Sequence, residues 1–314
     1  MKKTKNIKFI DLFAGIGGFR LALEDSGAKC VFSSENDPAA VKTYAANFHE
    51  EPSGDITKIP AEKIPNHDIL CAGFPCQPFS IGGYRKGFDD TRGTMFFEIE
   101  RILTEKKPKA FILENVVGIL SHNEKRTITT IRKKLQNIDY EIFEKILDAK
   151  DFGLPQNRRR WFCVGFRKDL KTQSFDFPIG TGLKKNVYDL LERNVVGHEV
   201  TKTAAKHIKM HFGNWKKTSE SMTIASEVRP SRCTLRDDGL VPCLTAKMGT
   251  GGNNVPVLVE EGRKLTVNEC LRLMGFNKNF YIEINNHQSY KQIGNSVAVP
   301  VISSIASKVI EEIT

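Results

Sequence analysis

A cysteine between two prolines is the residue of this sequence best placed for covalent chemistry. Cys76 follows a short apolar run, residues 69–72, and the turn formers Gly73 and Pro75, a pattern that predicts a buried strand leading into a rigid loop. In open α/β sheets, ligands and reacting groups collect at the carboxyl ends of the strands. Free cysteines are also common as small buried hydrophobes, and Cys71, inside the apolar run, fits that interpretation. We therefore predict that Cys76 is a nucleophile.

The residues after Cys76 favour a movable cover for such a site. Residues 81–93 contain four glycines and few large apolar side chains. We predict a mobile surface loop here, and a nucleophile followed by a mobile loop is an arrangement typical of enzymes.

A glycine-bearing turn near the start of the chain predicts a nucleoside site. A predicted strand, residues 7–13, runs into a turn that contains Gly15 and Gly17 and then into a helix. A second apolar run ends at Glu35, twenty residues after Gly15, and this spacing suits a carboxylate that binds ribose hydroxyls. The pattern fits NAD and S-adenosylmethionine equally.

Two further acids have candidate roles near these elements. Asp55 lies in a loop, where it could accept a hydrogen bond from an adenine amino group or simply form a turn. Glu114 follows a predicted strand, residues 109–113, so it should share the sheet edge with Cys76. The alternative for Glu114 is an acid that caps a helix.

A run of arginines begins a later strand. Gln156 precedes Arg158, Arg159 and Arg160, and the alternation of side chains along a strand sends Arg158 and Arg160 to one face and Arg159 to the other. Three arginines could also form only a solvated edge. We predict that the paired face contributes to the site.

The order of the elements predicts the fold class. Strands and helices alternate up to residue 178, which is typical of an α/β fold with a doubly wound, mostly parallel sheet. After that the periodicity fades and basic, glycine-rich segments appear, which indicates a second, smaller, loop-rich domain. We assign residues 1–180 and 285–314 to the cofactor-binding catalytic domain and residues 181–284 to the second domain.

Composition narrows the class of partner and the compartment. A formal net charge of +10 over 314 residues favours a polyanionic partner. The seven cysteines form no CxxC pair, so we expect no metal site and a reducing cytoplasm. We see no stretch as long as a membrane span and expect no membrane partner.

Taken together, these segments resemble the DNA cytosine-C5 methyltransferases, specifically the small bacterial modification enzymes. The matches occur in the family's order and span almost the whole chain; they are residues 11–19, 73–77, 114–116, 263–275 and 294–297, with Gln156, Arg158 and Arg160. Two positions differ from many relatives. Asn36 replaces a large aromatic residue, and Cys243-Leu244-Thr245 stands where a Thr-Leu pair is common.

The resemblance implies a role for each matched residue. Cys76 would be the nucleophile, Glu114 would bind N3 and the amino group of cytosine, and Arg158 and Arg160 would hold the flipped base and its backbone. S-adenosyl-L-methionine, with S-adenosyl-L-homocysteine as product, would be surrounded by Phe13, Gly15, Gly17, Glu35, Asp55, Ile56, Pro75, Asn295 and Val297. Gln77 and Ser80 would contact the DNA.

The residue types agree with this chemistry. Cytosine C5 is a poor nucleophile, but addition of a thiolate at C6 turns the ring into an enamine whose C5 can attack a methyl group. A neighbouring carboxylic acid stabilises the electron density that the addition places on the ring. The base must leave the DNA stack for this reaction, which costs a few kcal/mol.

The irregular segment, residues 184–262, is where members of the family diverge, so we predict that it reads the DNA target. Glycines there would let the backbone approach a groove, and asparagines and cations would meet base edges and phosphates. The candidate residues are Arg229, Arg232, Arg236, Lys247, Gly249, Gly251, Gly252, Asn253 and Asn254.

Three other functions share part of this sequence pattern. An NAD-dependent dehydrogenase shares the opening strand, glycines and acid but has no use for the later motifs. A non-catalytic DNA-binding protein would not need both Cys76 and Glu114, and methylation of cytosine in transfer RNA would suit a smaller variable segment. We therefore expect a monomeric, cytoplasmic enzyme that acts on double-stranded DNA, with a cognate restriction endonuclease as a possible partner.

Overall fold

The computed structural model describes residues 6–75, 95–182, 186–213, 215–250, 254–283 and 286–314. Several predicted residues lie outside these ranges: Cys76, Gln77, Ser80, Gly251, Gly252 and Asn253. The predicted loop over residues 81–93 lies outside them as well.

Among the described residues, six strands form the main sheet. They are β1 (Lys8–Leu12), β2 (Lys29–Ser34), β3 (Ile69–Gly73), β4 (Ala110–Val116), β5 (Tyr140–Asp148) and β6 (Arg159–Arg167). Their order across the sheet is β2-β1-β3-β4-β6-β5. The pairs among β1 to β4 are parallel, whereas β6 runs antiparallel to both β4 and β5. The prediction of a mostly parallel sheet is confirmed, with one strand reversed.

The described chain contains eight α-helices. They are α1 (Gly18–Asp25), α2 (Pro38–Phe48), α3 (Met95–Lys106), α4 (Arg126–Asn137), α5 (Lys202–Phe212), α6 (Val267–Leu273), α7 (Asn286–Asn295) and α8 (Val299–Ile313). Neighbouring β1 residues point to opposite faces: Phe9 belongs to the apolar cluster that contains α1 and α8, and Ile10 to the cluster that contains α3 and α4. Both faces are therefore buried, as a doubly wound fold requires.

Local sequence signals explain where two of these helices begin. The Asp37 carboxylate accepts hydrogen bonds from the amides of Ala39 and Ala40, and Pro38 occupies the first turn of α2. Thr266 and Glu269 form a reciprocal capping box at the start of α6. Both helix starts are therefore set by residues close to them in the sequence.

A second, antiparallel sheet lies in the irregular part of the chain. Its strands are β7 (Ile224–Arg229), β8 (Arg232–Arg236), β9 (Val257–Leu258) and β10 (Arg263–Lys264), in the order β10-β9-β7-β8. One face packs against α5 through Ala204 and Ile208. On the other side, Ile224 and Leu258 join the same apolar cluster as Phe9 of β1. The second sheet therefore shares a continuous core with the main sheet.

The expectation that no stretch is as long as a membrane span was wrong. The stretch His287–Ile313, which holds α7 and α8, is long and apolar enough to cross a bilayer by length and composition. However, 61% of its apolar window is buried inside the protein. Ile302, Ile305 and Val309 of α8 belong to the main core, so the apolar character of α8 is explained by its packing.

Candidate active site

A cavity of about 650 Å³ opens at the carboxyl ends of the parallel strands β1 to β4. Ten of the residues predicted from the sequence line it: Phe13, Gly15, Glu35, Asp55, Ile56, Pro75, Glu114, Arg158, Arg160 and Asn295. The structure thus brings the predicted nucleoside residues and the predicted acid and arginines into one space, as expected for the carboxyl edge of an open sheet.

The glycine turn and Glu35 form one side of this cavity. Gly15 has φ +55°, a conformation that favours glycine, and its amide donates to Glu35 Oε2 at 2.8 Å. Glu35 Oε1 accepts from the amides of Asn36 and Asp37, each at 2.8 Å. The carboxylate is therefore held at the end of β2 by three backbone donors, with its position fixed before any ligand binds.

Ser34 provides a test of whether a polar ligand fits. Ser34 is one of the residues around the cavity, and its buried hydroxyl has no hydrogen-bond partner among the described residues. A buried polar group without a partner costs free energy unless a ligand or water completes it. Beside the Glu35 carboxylate, this hydroxyl suits the amine and hydroxyl groups of S-adenosyl-L-methionine.

Asp55 has the turn-forming role and also lines the cavity, while its contact with adenine stays a prediction. Its Oδ1 accepts from the backbone amide of Thr57 at 3.0 Å and from the Thr57 hydroxyl at 2.8 Å, so it shapes a turn. These hydrogen bonds from Thr57 lower the pKa of the Asp55 carboxyl. Asp55 also lines the cavity, where the ionised group is an acceptor.

Two predicted cofactor residues do not line the cavity. Gly17 begins α1 at φ +85°, and a Cβ on it would lie 2.2 Å from the ring of Phe48. Val297 packs behind the wall, where its methyl groups lie near Gly18 and Gly73. Both residues support the cavity from outside, and direct contact with the cofactor stays a prediction for them.

Glu114 and Arg160 form an ion pair inside the wall, with Oε1 and Nε 3.0 Å apart. Val116 is opposite Arg160 in the β4–β6 ladder, and Glu114 is opposite Phe162, so Glu114 and Arg160 are diagonal neighbours on one face. The strand was predicted to end before Glu114 but continues through Val116, which begins the next turn. Glu114 therefore caps no helix in the described chain.

Burial controls the protonation of Glu114. Desolvation raises the pKa of this carboxyl, and the guanidinium groups of Arg160 and Arg158 oppose that effect only in part. A carboxyl with a raised pKa keeps its proton to a higher pH than a free carboxyl does, so it is a better proton donor. This is the property that a hydrogen-bonding acid for a ring nitrogen requires.

Asn115, the next residue of β4, holds the loop that leads to Cys76. Its Nδ2 donates to the carbonyl of Phe74 at 2.9 Å, and its Oδ1 accepts from the amide of Val116 at 2.8 Å. Pro75 follows Phe74 at the edge of the cavity. Asn115 therefore fixes the backbone two residues before the predicted nucleophile, a role that its place in the Glu114-Asn115-Val116 motif did not reveal.

Arg158 connects three separate segments of the chain. It is 3% exposed, and its Nη1 donates to the Leu244 carbonyl at 2.6 Å. Its Nη2 donates to the carbonyls of Gly294, at 3.2 Å, and Ser296. Burial, followed by the charge of Arg160, lowers the pKa of Arg158 to about 10. Because both Nη atoms bind the main chain, contact between Arg158 and a flipped base stays a prediction.

Helix α7 supplies cavity residues that the sequence reading missed. Lys291 Nζ lies 2.9 Å from Asp37 Oδ2, and Gln292 Oε1 accepts from the Thr43 hydroxyl at 2.7 Å. Burial would raise the pKa of Asp37, but the hydrogen bond from Lys291 and those from backbone amides lower it overall. These contacts join α7 to α2 across more than 200 residues of sequence, so no local signal could have found them.

The described residues predicted to read DNA are mostly engaged within the protein. Arg232 pairs with Glu227 at 2.8 Å, Arg236 pairs with Asp238, and Arg229 Nη2 lies 3.4 Å from Asn254 Oδ1. Lys247 lies in the short helical turn Ala246–Thr250. None of this tests binding to DNA.

Packing inside the protein gives Gly249 a reason to be glycine, and its contact with DNA stays a prediction. We expected its missing side chain to allow close approach to a DNA groove. In the structure a Cβ at this position would lie 2.2 Å from the His287 carbonyl, and one at Gly294 would lie 2.1 Å from the carbonyl carbon of Thr245. Both glycines are needed because the turn Ala246–Thr250 packs directly on α7.

Within residues 6–75, 95–182 and the later described segments, no group of three or more His, Cys, Asp or Glu side chains could hold a metal ion. The described part of the site is thus a cavity with a buried acid–arginine pair in its wall, at the carboxyl edge of a doubly wound, Rossmann-like sheet.

Comparisons with known proteins identify the family. The model of the C-5 cytosine-specific DNA methylases matches residues 7–311. The type II methyltransferase M1.ScrFI of Lactococcus lactis subsp. cremoris is 46% identical over 329 aligned positions, which cover 99% of this chain and 79% of that protein. M.HhaI of Haemophilus parahaemolyticus is 42% identical, covering 97% of this chain and 94% of that protein.

A solved structure shows the same fold at greater distance. The Dnmt2 methyltransferase of S. pombe superposes with a TM-score of 0.74 at 22% identity, covering 98% of this chain and 100% of that one. The chain belongs to the C-5 cytosine-specific DNA methylase family and is a type II DNA cytosine-5 methyltransferase. The family resemblance is confirmed, and the NAD-dehydrogenase alternative was wrong. Membership implies S-adenosyl-L-methionine as methyl donor and DNA as substrate.

Proposed function

We propose that this enzyme methylates C5 of a cytosine flipped out of a short, specific site in double-stranded DNA, through a covalent bond between Cys76 and C6. The observation that carries the proposal is the buried Glu114–Arg160 pair, 3.0 Å apart, in the wall of the cavity that Pro75 also lines. Pro75 immediately precedes Cys76 in the sequence. In this proposal the acid and the nucleophile act in the same cavity.

In this proposal the Cys76 thiolate adds to C6 while Glu114 supplies a proton or a strong hydrogen bond at N3, so the displaced electron density is stabilised. S-adenosyl-L-methionine supplies, when bound, the electrophilic methyl group that C5 takes up. A base then removes the C5 proton, the C6–sulfur bond breaks, and the Cys76 thiolate is regenerated with 5-methylcytosine. Arg160 holds the Glu114 carboxyl in place throughout.

The cofactor residues are proposed from the lining of the cavity. Glu35 suits the ribose hydroxyls and Asp55 the adenine amino group, since both carboxylates are fixed by backbone donors beside open space. The other proposed contacts are Phe13, Gly15, Ile56, Pro75 and Asn295, with Gly17 and Val297 as supports. Ser34, Lys291 and Gln292 join this set because they line the same cavity.

We further propose that residues 184–262 select the DNA sequence. The four-stranded sheet lies in and beside this segment, which also contains the candidate base or phosphate contacts Arg229, Arg232, Arg236 and Lys247. Gln77, Ser80, Gly251, Gly252 and Asn253 complete the proposed DNA surface, on residues that the structure does not describe.

The biological role we propose is protection of host DNA, in the cytoplasm, against a cognate restriction endonuclease, with the methyltransferase acting as a monomer. The support is the similarity to type II methyltransferases such as M1.ScrFI and M.HhaI.

The test is methyl transfer from tritiated cofactor to three substrates: duplex DNA of mixed sequence, the same DNA as single strands, and transfer RNA. The proposal predicts label in duplex DNA, and bisulfite sequencing should then map it to one short recurring site. Preferential labelling of transfer RNA would contradict the proposal. Label spread over all cytosines would contradict the claim of a specific site.

A further inference from the structure

A thiol from the second sheet's segment lies between the two arginines of the active site. Cys243 Sγ is 3.5 Å from Arg160 Nη2 and 3.6 Å from Arg158 Nη1. Cys243 is partly exposed, whereas Arg158 is buried. The three side chains therefore form one cluster where residues 241–244 meet the start of β6.

The contact with Cys243 helps to fix the orientation of the Arg160 side chain. Its Nε pairs with Glu114 Oε1 at 3.0 Å, and its Nη1 donates to the carbonyl of Arg159 at 2.9 Å. Its Nη2 has the sulfur of Cys243 as its acceptor among the described residues. Each of the three guanidinium nitrogens of Arg160 thus has one partner. The partners of Nε and Nη1 lie on β4 and β6, whereas Cys243 lies on neither strand.

The backbone beside Cys243 is fixed rigidly. The amide of Leu244 donates to Gln156 Oε1 at 3.1 Å, and Arg158 Nη1 donates to the Leu244 carbonyl at 2.6 Å. Gln156 is fully buried and is itself anchored by the Leu273 carbonyl at 2.8 Å. A sulfur on such a clamped segment can hold a flexible arginine side chain in one orientation.

Arg158 and Arg160 repel each other, and the sulfur of Cys243 is an acceptor that both can share. Arg158 and Arg160 are both cationic, and their mutual repulsion contributes to the lowered pKa of Arg158. Among the described residues, the carboxylate in salt-bridge contact with this pair is Glu114, on Arg160. Sulfur lone pairs between the two guanidinium groups weaken the repulsion that would otherwise turn Arg160 away from Glu114.

We propose that Cys243 is a positioning residue, whose sulfur holds Arg160 against Glu114 and so couples the segment at residues 241–244 to the catalytic acid. The proposal rests on the proposed role of Glu114 in the reaction. Loss of the sulfur acceptor should free the Arg160 side chain and weaken its stabilisation of the Glu114 carboxylate. The pKa of Glu114 should then rise further, because burial is opposed less strongly.

The experiment compares Cys243→Ala with Cys243→Ser, which restores an acceptor, and with Cys233→Ala as a control thiol in β8. The pH dependence of kcat is measured for each variant, together with cofactor binding by calorimetry. We expect Cys243→Ala to lower kcat about tenfold and to move the alkaline limb of the profile to higher pH. Cofactor affinity should not change, Cys243→Ser should recover most of kcat, and Cys233→Ala should match the wild type.

Glu114→Gln separates this proposal from the proposed function. If Glu114→Gln keeps wild-type turnover, the acid role itself fails. If Glu114→Gln is inactive while Cys243→Ala keeps both kcat and the position of the limb, only the positioning role of Cys243 fails. Equal loss in Cys243→Ser and Cys243→Ala would also overturn it, since an acceptor would then not matter.

Should Cys243→Ala bind no cofactor and fail to fold, Cys243→Val replaces it. Valine fills more of the space but offers no acceptor, so the same tenfold loss and the same displaced limb are expected. A Cys243→Val variant with a wild-type profile would overturn the proposal.

Discussion

Glu114 and Arg160 face each other from adjacent antiparallel strands, with Oε1 and Nε 3.0 Å apart and both side chains nearly excluded from solvent. Arg160 lies opposite Val116, and Phe162 lies opposite Glu114. Glu114 and Arg160 are therefore diagonal neighbours across the two strands, two residues apart in register. Reversal of β6 relative to β4 is what brings the start of β6 to the carboxyl end of β4. The one antiparallel strand of the sheet is therefore the strand that delivers the arginine to the site.

Replacement of Glu114 by glutamine should remove proton donation while keeping the shape of the side chain. We expect turnover to fall on the order of 10²-fold or more, because a charge-assisted contact to the developing charge is lost. Single-turnover methyl transfer measures this, and calorimetry should give unchanged cofactor affinity. A glutamine variant with wild-type turnover would show that Glu114 takes no part in the reaction.

Arg158 should matter for stability as much as for catalysis. Arg158→Leu leaves the carbonyls of Leu244, Gly294 and Ser296 without a buried donor, so we expect it to lower the free energy of unfolding by about 3 kcal/mol or more. Arg159→Leu is the matched control, since Arg159 is exposed on the other face and should change stability by less than about 0.5 kcal/mol. Thermal melting compares the two; equal melting temperatures would refute the linking role.

Asp11, buried beneath the glycine turn, should make stability depend on pH. Burial, with a further contribution from Glu35, raises its pKa well above the usual value. Below the unfolded-state pKa of about 4 both states are protonated and there is no penalty. Above it only the unfolded state ionises, so Asp11 lowers stability by about 1.4 kcal/mol per pH unit until the folded-state pKa is reached.

Asp11→Asn should remove that penalty. We expect the variant to melt at a higher temperature than the wild type at pH 7 to 8 and at a similar temperature near pH 4. Asp25→Asn, at an exposed position in α1, serves as the control and should follow the wild type at both pH values. A lower melting temperature for Asp11→Asn at pH 8 would show that the Asp11 carboxylate is stabilised as an ion.

Transfer of residues 184–262 into a related methyltransferase of different specificity should transfer the recognition site. The physical reason is that the irregular sheet and its cations lie in this segment, whereas Glu114, Arg160 and the cavity lie largely outside it. Bisulfite sequencing of DNA methylated by the chimera gives the site directly. An active chimera that keeps the recognition site of its parent would contradict the assignment.

Local patterns predicted much of this architecture. The Asp37-Pro38 cap, the Thr266–Glu269 capping box and the common face of Arg158 and Arg160 follow from short-range rules, and the structure agrees with each. The resemblance also identified ten of the residues that line the cavity.

What the sequence could not reveal depends on contacts between distant segments. Lys291 reaches Asp37 only because α7 packs beside α2, and the close packing of Gly249 on α7 is likewise set by the fold. Cys243 was noticed as a departure from relatives, but its contact with Arg160 required the folded positions of both segments. The strand containing Glu114 was predicted too short because charged residues near its end obscured a pattern that is set by pairing with β6.

The central claim, covalent attack by Cys76, is tested most directly with duplex DNA that carries 5-fluorocytosine at the methylated position. Fluorine cannot leave as a proton, so the enzyme should remain bonded to C6 and migrate as a protein–DNA adduct in denaturing electrophoresis when the cofactor is present. Cys76→Ser should give no adduct, whereas Cys71→Ser, altered inside the buried strand β3, should still give one. Equal trapping by Cys76→Ser and the wild type would contradict the account.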